Sequence, residues 1–130
     1  MLKIAICDDS RTDIEMLESA FDKLCQYPIE YDVYFSGEEL LTYCTLHDET
    51  YHLYIFDIEM PQLNGLELAK KIREKDAKAL FVFLTSYTKY VMDVFAVITF
   101  DYISKPITAE KLESVLLKAM QYLNLIKQDF

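Results

Sequence analysis

The chain has 130 residues, a net charge of −9 from 22 acidic and 13 basic residues, and a hydrophobic content of 52% with 14% aromatics. That is one domain's worth of sequence, apolar enough to bury a core, which argues against a disordered segment or two packed domains. The acidic balance repels phosphate backbones, so this segment is not expected to grip nucleic acid by itself, and a cation or a basic partner surface is its natural counterpart.

The first run, Leu2–Cys7, reads as a strand and stops on two adjacent aspartates, Asp8 and Asp9. Side by side they repel, and neither can be buried cheaply without a partner. A solvated turn is the plain explanation, and a cation site is the functional one. Ser10 as N-cap, with Asp13 three residues later, is a capping signature for a helix carrying Ile14, Leu17, Phe21 and Leu24. Ile29–Phe35 alternates, with Tyr31, Val33 and Phe35 on one side and Glu30, Asp32 and Tyr34 on the other. It suits an edge strand with one partly wet face. Ser36-Gly37-Glu38-Glu39 is a second capping-box signature, leading into Leu40, Leu41 and Cys44.

Leu53–Ile58 and Ala79–Thr85 are nearly continuous apolar runs, as expected of parallel strands covered on both faces. The first sets Asp57 between Phe56 and Ile58, and the second ends on Thr85 and Ser86. Between them Gly65 opens a helix with Leu68, Ala69 and Ile72 inward and Lys70, Lys71, Arg73 and Glu74 outward. Tyr90, Val91, Val94, Phe95 and Ile98 predict a fourth helix, and Asp101–Ser104 a fifth strand ahead of Lys105-Pro106. Thr108 caps a fifth helix, with Ile107 and Leu112 as a hydrophobic staple and Val115, Leu116, Ala119 and Leu123 extending its buried stripe.

Strand and helix alternate five times, the pattern of a doubly wound α/β sandwich, whose ligands bind beyond the carboxyl ends of the strands. Those ends carry Asp8, Asp9, Asp57, Thr85 and Lys105. Carboxylates with a backbone carbonyl form a hard oxygen site suited to Mg2+, with Mn2+ as the alternative ion. Without a cation the clustered acids repel, and at least one should have a raised pKa. A lysine and a hydroxyl facing one carboxylate are the parts needed for in-line phosphoryl transfer to it, and the apolar flanks of Asp57 favour it as acceptor. Three cysteines (Cys7, Cys25, Cys44) without C-x-x-C spacing suggest ordinary packing in a reducing compartment, and His47 and His52 lack ligand spacing. With no signal-peptide pattern and no apolar run long enough to span a bilayer, the chain reads as soluble and cytoplasmic, without a membrane partner.

"CDDS", "DIEMPQLNG", "LTS" and "DYISKP" resemble, in order and spacing, the receiver domain of bacterial two-component response regulators across essentially the whole chain. The resemblance implies a flavodoxin-like (βα)5 fold with a five-stranded parallel sheet in the order 2-1-3-4-5. It implies a phosphoacceptor at Asp57, served by the phosphohistidine of a sensor histidine kinase. Magnesium would be held by Asp8, Asp9, Asp57 and the backbone carbonyl of Glu59, with Asp8 acting mainly through water. Lys105 and Thr85 would bind the phosphoryl group, Thr85 and Tyr102 would form the conformational switch, and the Lys105–Pro106 peptide would be cis. Self-phosphorylation and self-dephosphorylation would be the only chemistry, so the chain is not read as an enzyme.

The stretch "FLTSYTKYVMDVFAVITFDYISKPI" is similar to receivers of LytTR-type regulators, which implies a DNA-binding output domain beyond this chain. On that reading residues 1–126 are the receiver and residues 127–130 begin a linker or tail. Glu59 and Tyr87 fall at positions that modulate aspartyl-phosphate lifetime in the family, and Ser86 could add a weak contact. The face made by the predicted fourth helix, the fifth strand and the fifth helix, with Tyr90, Val94, Phe95 and Val97, would be the output surface and a homodimer patch. Alternatives from other classes are a flavin-binding electron carrier, which wants a phosphate loop where this chain has acids, and an aspartyl-nucleophile phosphatase, which wants an aspartate where Glu59 stands. A stand-alone receiver acting only through protein contacts is the third.

Overall fold

A computed structural model describes residues 1–86 and 99–125. Five strands, β1 (Leu2–Cys7), β2 (Ile29–Tyr34), β3 (Leu53–Asp57), β4 (Leu80–Thr85) and β5 (Asp101–Ser104), pair in parallel in the order β2-β1-β3-β4-β5. The described helices are α1 (Arg11–Asp22), α2 (Gly37–His47), α3 (Gly65–Lys75) and α4 (Ala109–Tyr122). The helix expected around Tyr90 to Ile98, the dimer patch drawn on it, and Tyr87 lie outside the described residues.

Every residue of β3 and β4 is buried, which is why both run as unbroken apolar sequence. Along β1 the pleat sends Leu2, Ile4 and Ile6 to one face and Ala5 and Cys7 to the other. The first face packs against Ile14, Leu17, Ala20 and Phe21 of α1 and Leu112, Val115, Leu116, Ala119 and Met120 of α4. The second packs against Leu40 and Cys44 of α2 and Leu68, Ala69 and Ile72 of α3. These two apolar layers cover both faces of the sheet.

At the edge, β2 departs from the simple alternation. Tyr31 stacks on Phe21 with ring centroids 4.4 Å apart, but Tyr34, on the side expected to be wet, is buried. Its hydroxyl meets that of Tyr51 at 2.6 Å, and Tyr51 donates to Asp32 at 2.8 Å, so the polar ends are satisfied while the rings fill the layer under α2. Phe35, beyond the strand, remains 36% exposed under the Arg11 guanidinium. Cys7 and Cys44 are buried packing residues as expected, whereas Cys25 lies past the end of α1 and is exposed.

The helix starts follow their caps. Ser10, Ser36 and Thr108 accept from the N–H groups of Asp13, Glu39 and Lys111. At α3 the cap is Asn64, and Glu67 closes a full capping box with it. The box suggested for Ser10 and Asp13 forms only its first half, because the Ser10 N–H donates instead to Asp8 Oδ1 at 2.9 Å.

Candidate functional site at the carboxyl edge of the sheet

The parallel register brings the ends of β1, β3, β4 and the start of the β5–α4 loop to one edge. Asp8 follows β1 and its N–H donates to Tyr34 O, which fixes the turn. Asp57 is the last residue of β3 and Thr85 the last of β4. The Lys105 N–H donates to Thr85 O at 2.9 Å and sets the lysine across from the acids. The Lys105–Pro106 peptide is cis.

Oxygens of Asp8, Asp9 and Asp57 lie within 4.8 Å of one another. Lys105 Nζ is 3.3 Å from Asp57 Oδ1, 3.7 Å from Asp8 Oδ2 and 2.5 Å from Asp13 Oδ2. Asp8 is fully buried, and its Oδ2 has no hydrogen-bond donor. Such an orphaned oxygen, beside two further hard donors, fits a magnesium-like ion that the surrounding groups do not replace. Asp9 is exposed at the rim, so the bowl is open to solvent on one side.

Burial, opposed by the Ser10 N–H and aggravated by Asp57, pushes the Asp8 carboxyl up to about 7. Burial likewise raises Asp57, with Lys105 holding it back. Burial disfavours the Lys105 ammonium, but its bond to Asp13 and the fields of Asp8 and Asp57 outweigh this and raise its pKa. The raised pKa expected of the clustered acids thus falls on Asp8 and Asp57; burial is its first cause, and the repulsion felt by Asp8 comes from Asp57 and Asp13.

A pH dependence follows. An acid whose folded pKa is raised keeps a proton that the unfolded chain releases, so its contribution is fully present below about 4 and is lost by about 7. In chelator, the melting temperature should fall between pH 5 and pH 7 and level off above, by an amount on the order of 3 kcal/mol at most. Added Mg2+ should restore more stability at pH 8 than at pH 5, since it needs the deprotonated carboxylates. Thermal melts across that range check both, and a flat profile in chelator counts against them.

Of the residues singled out in the sequence, Asp8, Asp9, Asp57 and Lys105 converge. Thr85 is buried at the strand end and Ser86 is exposed beside it. Tyr102, on β5 opposite Phe83, is 47% exposed and stands outside the bowl. Sequence reading missed Asp13, whose carboxylate makes the shortest contact to Lys105. It also missed why residue 65 is glycine: a Cβ there would sit 2.3 Å from Asp57 O.

A family model described as Response regulator receiver domain matches residues 4–117. The transcriptional regulatory protein NatR of Bacillus subtilis is 30% identical over 112 residues, covering 86% of this chain and 47% of NatR. The sensory transduction protein LytT of Oceanobacillus iheyensis is 38% identical over 79 residues, 58% of this chain and 31% of LytT. This chain spans about half the length, or less, of these curated relatives. Among solved structures, the response regulator TrrA from Thermotoga maritima, in complex with Mg(2+)-BeF, is 32% identical with a TM-score of 0.76, covering 92% of this chain and 99% of that one. A receiver domain protein from Clostridium thermocellum superposes with a TM-score of 0.82 over 98% of this chain and 100% of that one, at 22% identity, and speaks for the fold alone. With the match running from Ile4 to Leu117, into all five strands and around the acidic edge, this chain belongs to the response regulator receiver domain family.

Proposed function

We propose that this chain accepts a phosphoryl group on Asp57 from the phosphohistidine of a sensor histidine kinase and changes conformation in response. The observation that carries the proposal is Lys105 Nζ at 3.3 Å from Asp57 Oδ1, facing a bowl whose three carboxylates lie within 4.8 Å. In the transfer, an Asp57 carboxylate oxygen bonds to phosphorus as the phosphorus–nitrogen bond breaks. The imidazole leaves with the bond's electron pair and takes up a proton. Lys105 neutralises the charge gathering on the phosphoryl oxygens, and the Thr85 hydroxyl is the donor for one of them. Asp8, Asp9, Asp57 and the Glu59 carbonyl would hold Mg2+ or Mn2+, which when bound supplies charge neutralisation at the phosphoryl oxygens. The TrrA complex with Mg(2+)-BeF supports that assignment.

Tyr102 is the switch partner of Thr85: exposed at rest, it has burial to gain by turning inward when Thr85 moves to the phosphoryl group. Residues 1–126 make up the receiver, and residues 127–130 lead toward an output domain. The LytT relatives support an output of LytTR type, the transcriptional regulatory protein NatR supports control of transcription through a DNA-binding domain, and the relatives' extra length leaves room for it. Kinase, output domain and a second copy, docked through the predicted fourth helix, β5 and α4, are the partners. DNA is reached only through the output domain. The chain works in the cytoplasm; among the described residues no helix is long and apolar enough to cross a membrane. Its own chemistry stops at gaining and hydrolysing the aspartyl phosphate.

Incubation with Mg2+ and acetyl phosphate, followed by intact mass measurement, should show the gain of one phosphoryl group that Asp57→Ala abolishes. No gain in the wild type, or a gain that survives Asp57→Ala, would overturn the proposal.

A further inference from the structure

The three contacts of Lys105 are unequal. Its ammonium is 2.5 Å from Asp13, against 3.3 Å from Asp57 and 3.7 Å from Asp8. Asp13 stands in the first turn of α1, at the position whose side chain ordinarily turns back to the N-cap N–H and closes a capping box. Here that N–H is occupied by Asp8 Oδ1, so the Asp13 carboxylate is released toward the lysine. The pair is partly withdrawn from water, with side-chain exposures of 21% for Asp13 and 17% for Lys105, where an ion pair is screened less than on open surface.

We propose that Asp13 is a positioning residue that holds Lys105 in the resting site and competes with the phosphoryl group for it. The inference rests on Asp57 being the acceptor. A phosphoryl group there brings close to two negative charges and three strong acceptor oxygens within reach of the ammonium. An ammonium has three N–H donors on a flexible stem and swings toward the richer acceptor. In doing so it gives up its shortest contact and leaves Asp13 to turn outward into water, which its partial exposure permits. The lost pair weighs against the phosphorylated state, so Asp13 tunes how readily the site fills without touching phosphorus.

The test is calorimetric titration of the full chain with beryllofluoride in Mg2+, a stable stand-in for the phosphoryl group. Asp13→Asn keeps the backbone N–H that Ser10 caps but removes the competing charge, and should tighten binding roughly two- to fivefold. Asp13→Ser should tighten it alike, providing a second neutral variant should either fail to fold in thermal melts. Asp13→Glu, which restores a carboxylate on the same helix face, should bind like the wild type. Neutral variants that bind as the wild type does or more weakly, or an Asp13→Glu that matches them, overturn the inference and leave the phosphoacceptor reading intact. A wild-type chain that binds no beryllofluoride overturns both.

Discussion

Replacing Gly65 by alanine should destabilise the protein by about 2–4 kcal/mol and leave the folded fraction a poor phosphoryl acceptor. Alanine is the better helix former by about 1 kcal/mol, and the glycines here take no positive φ, so local preference alone would forecast a gain. The obstacle is space. A Cβ at this position would lie 2.3 Å from Asp57 O, 3.1 Å from Asp57 C and 3.2 Å from Ile58 Cα. These are backbone atoms of a central strand and its exit, and β3 is laddered to β1 on one side and β4 on the other. The Gly65 N–H also donates to Ile58 O at 3.0 Å, so helix and strand end are bolted together next to Asp57. Relief has to come from moving α3 or Asp57, and a displaced Asp57 no longer meets Lys105 as it does at 3.3 Å. Urea denaturation should show a lower midpoint at unchanged slope, and the acetyl phosphate reaction should slow. An alanine variant as stable as the wild type would show that the helix slides without cost.

The second large effect has the opposite sign for stability. At pH 8 in chelator, Asp8→Asn should raise stability by about 1–3 kcal/mol while weakening Mg2+ binding roughly 100-fold. Asp8 is fully buried, its Oδ2 has no donor, and Lys105 approaches only to 3.7 Å. An amide fills the same volume, keeps an oxygen for the Ser10 N–H, and removes a charge that burial penalises. The gain should shrink toward pH 5, where the wild-type carboxyl is already protonated, so the variant also flattens the pH profile of the apo protein. Melts in chelator and Mg2+ titrations read the two effects separately. If Asp8→Asn melts below the wild type in chelator, the charge is better compensated than its surroundings indicate.

How much of this was legible beforehand depended on where each residue's neighbours lie. Strands β3 and β4 announced themselves because both faces are buried, so nearly every position is apolar. Their edges were read one residue long at Ile58 and Ala79, which are buried but lie outside the ladder. A fully parallel sheet sends all its carboxyl ends to one side, so Asp8, Asp9, Asp57 and Lys105 could be grouped from strand ends alone. Asp13 could not. It is one polar residue in a helix turn, and its pairing with Lys105 depends on how α1 is rotated on the sheet and on Asp8 having taken the Ser10 N–H. Gly65 was visible as a helix opener, yet the reason for glycine is a distance to a strand that the sequence does not contain. Tyr34 fell on the polar side of an alternating strand and was buried anyway, because Tyr51 and Asp32 complete its hydrogen bonds.

The contacts of Lys105 also have a consequence in time. They join residues 92 positions apart to Asp13 and 48 positions apart to Asp57, and the strand that carries the lysine to the site, β5, is the last to enter the sheet in chain order. During synthesis, a chain that has emerged only through β4 lacks the Lys105 ammonium that faces these acids. The charge balance of the acidic edge is therefore completed late, with the closing of the sheet's far edge.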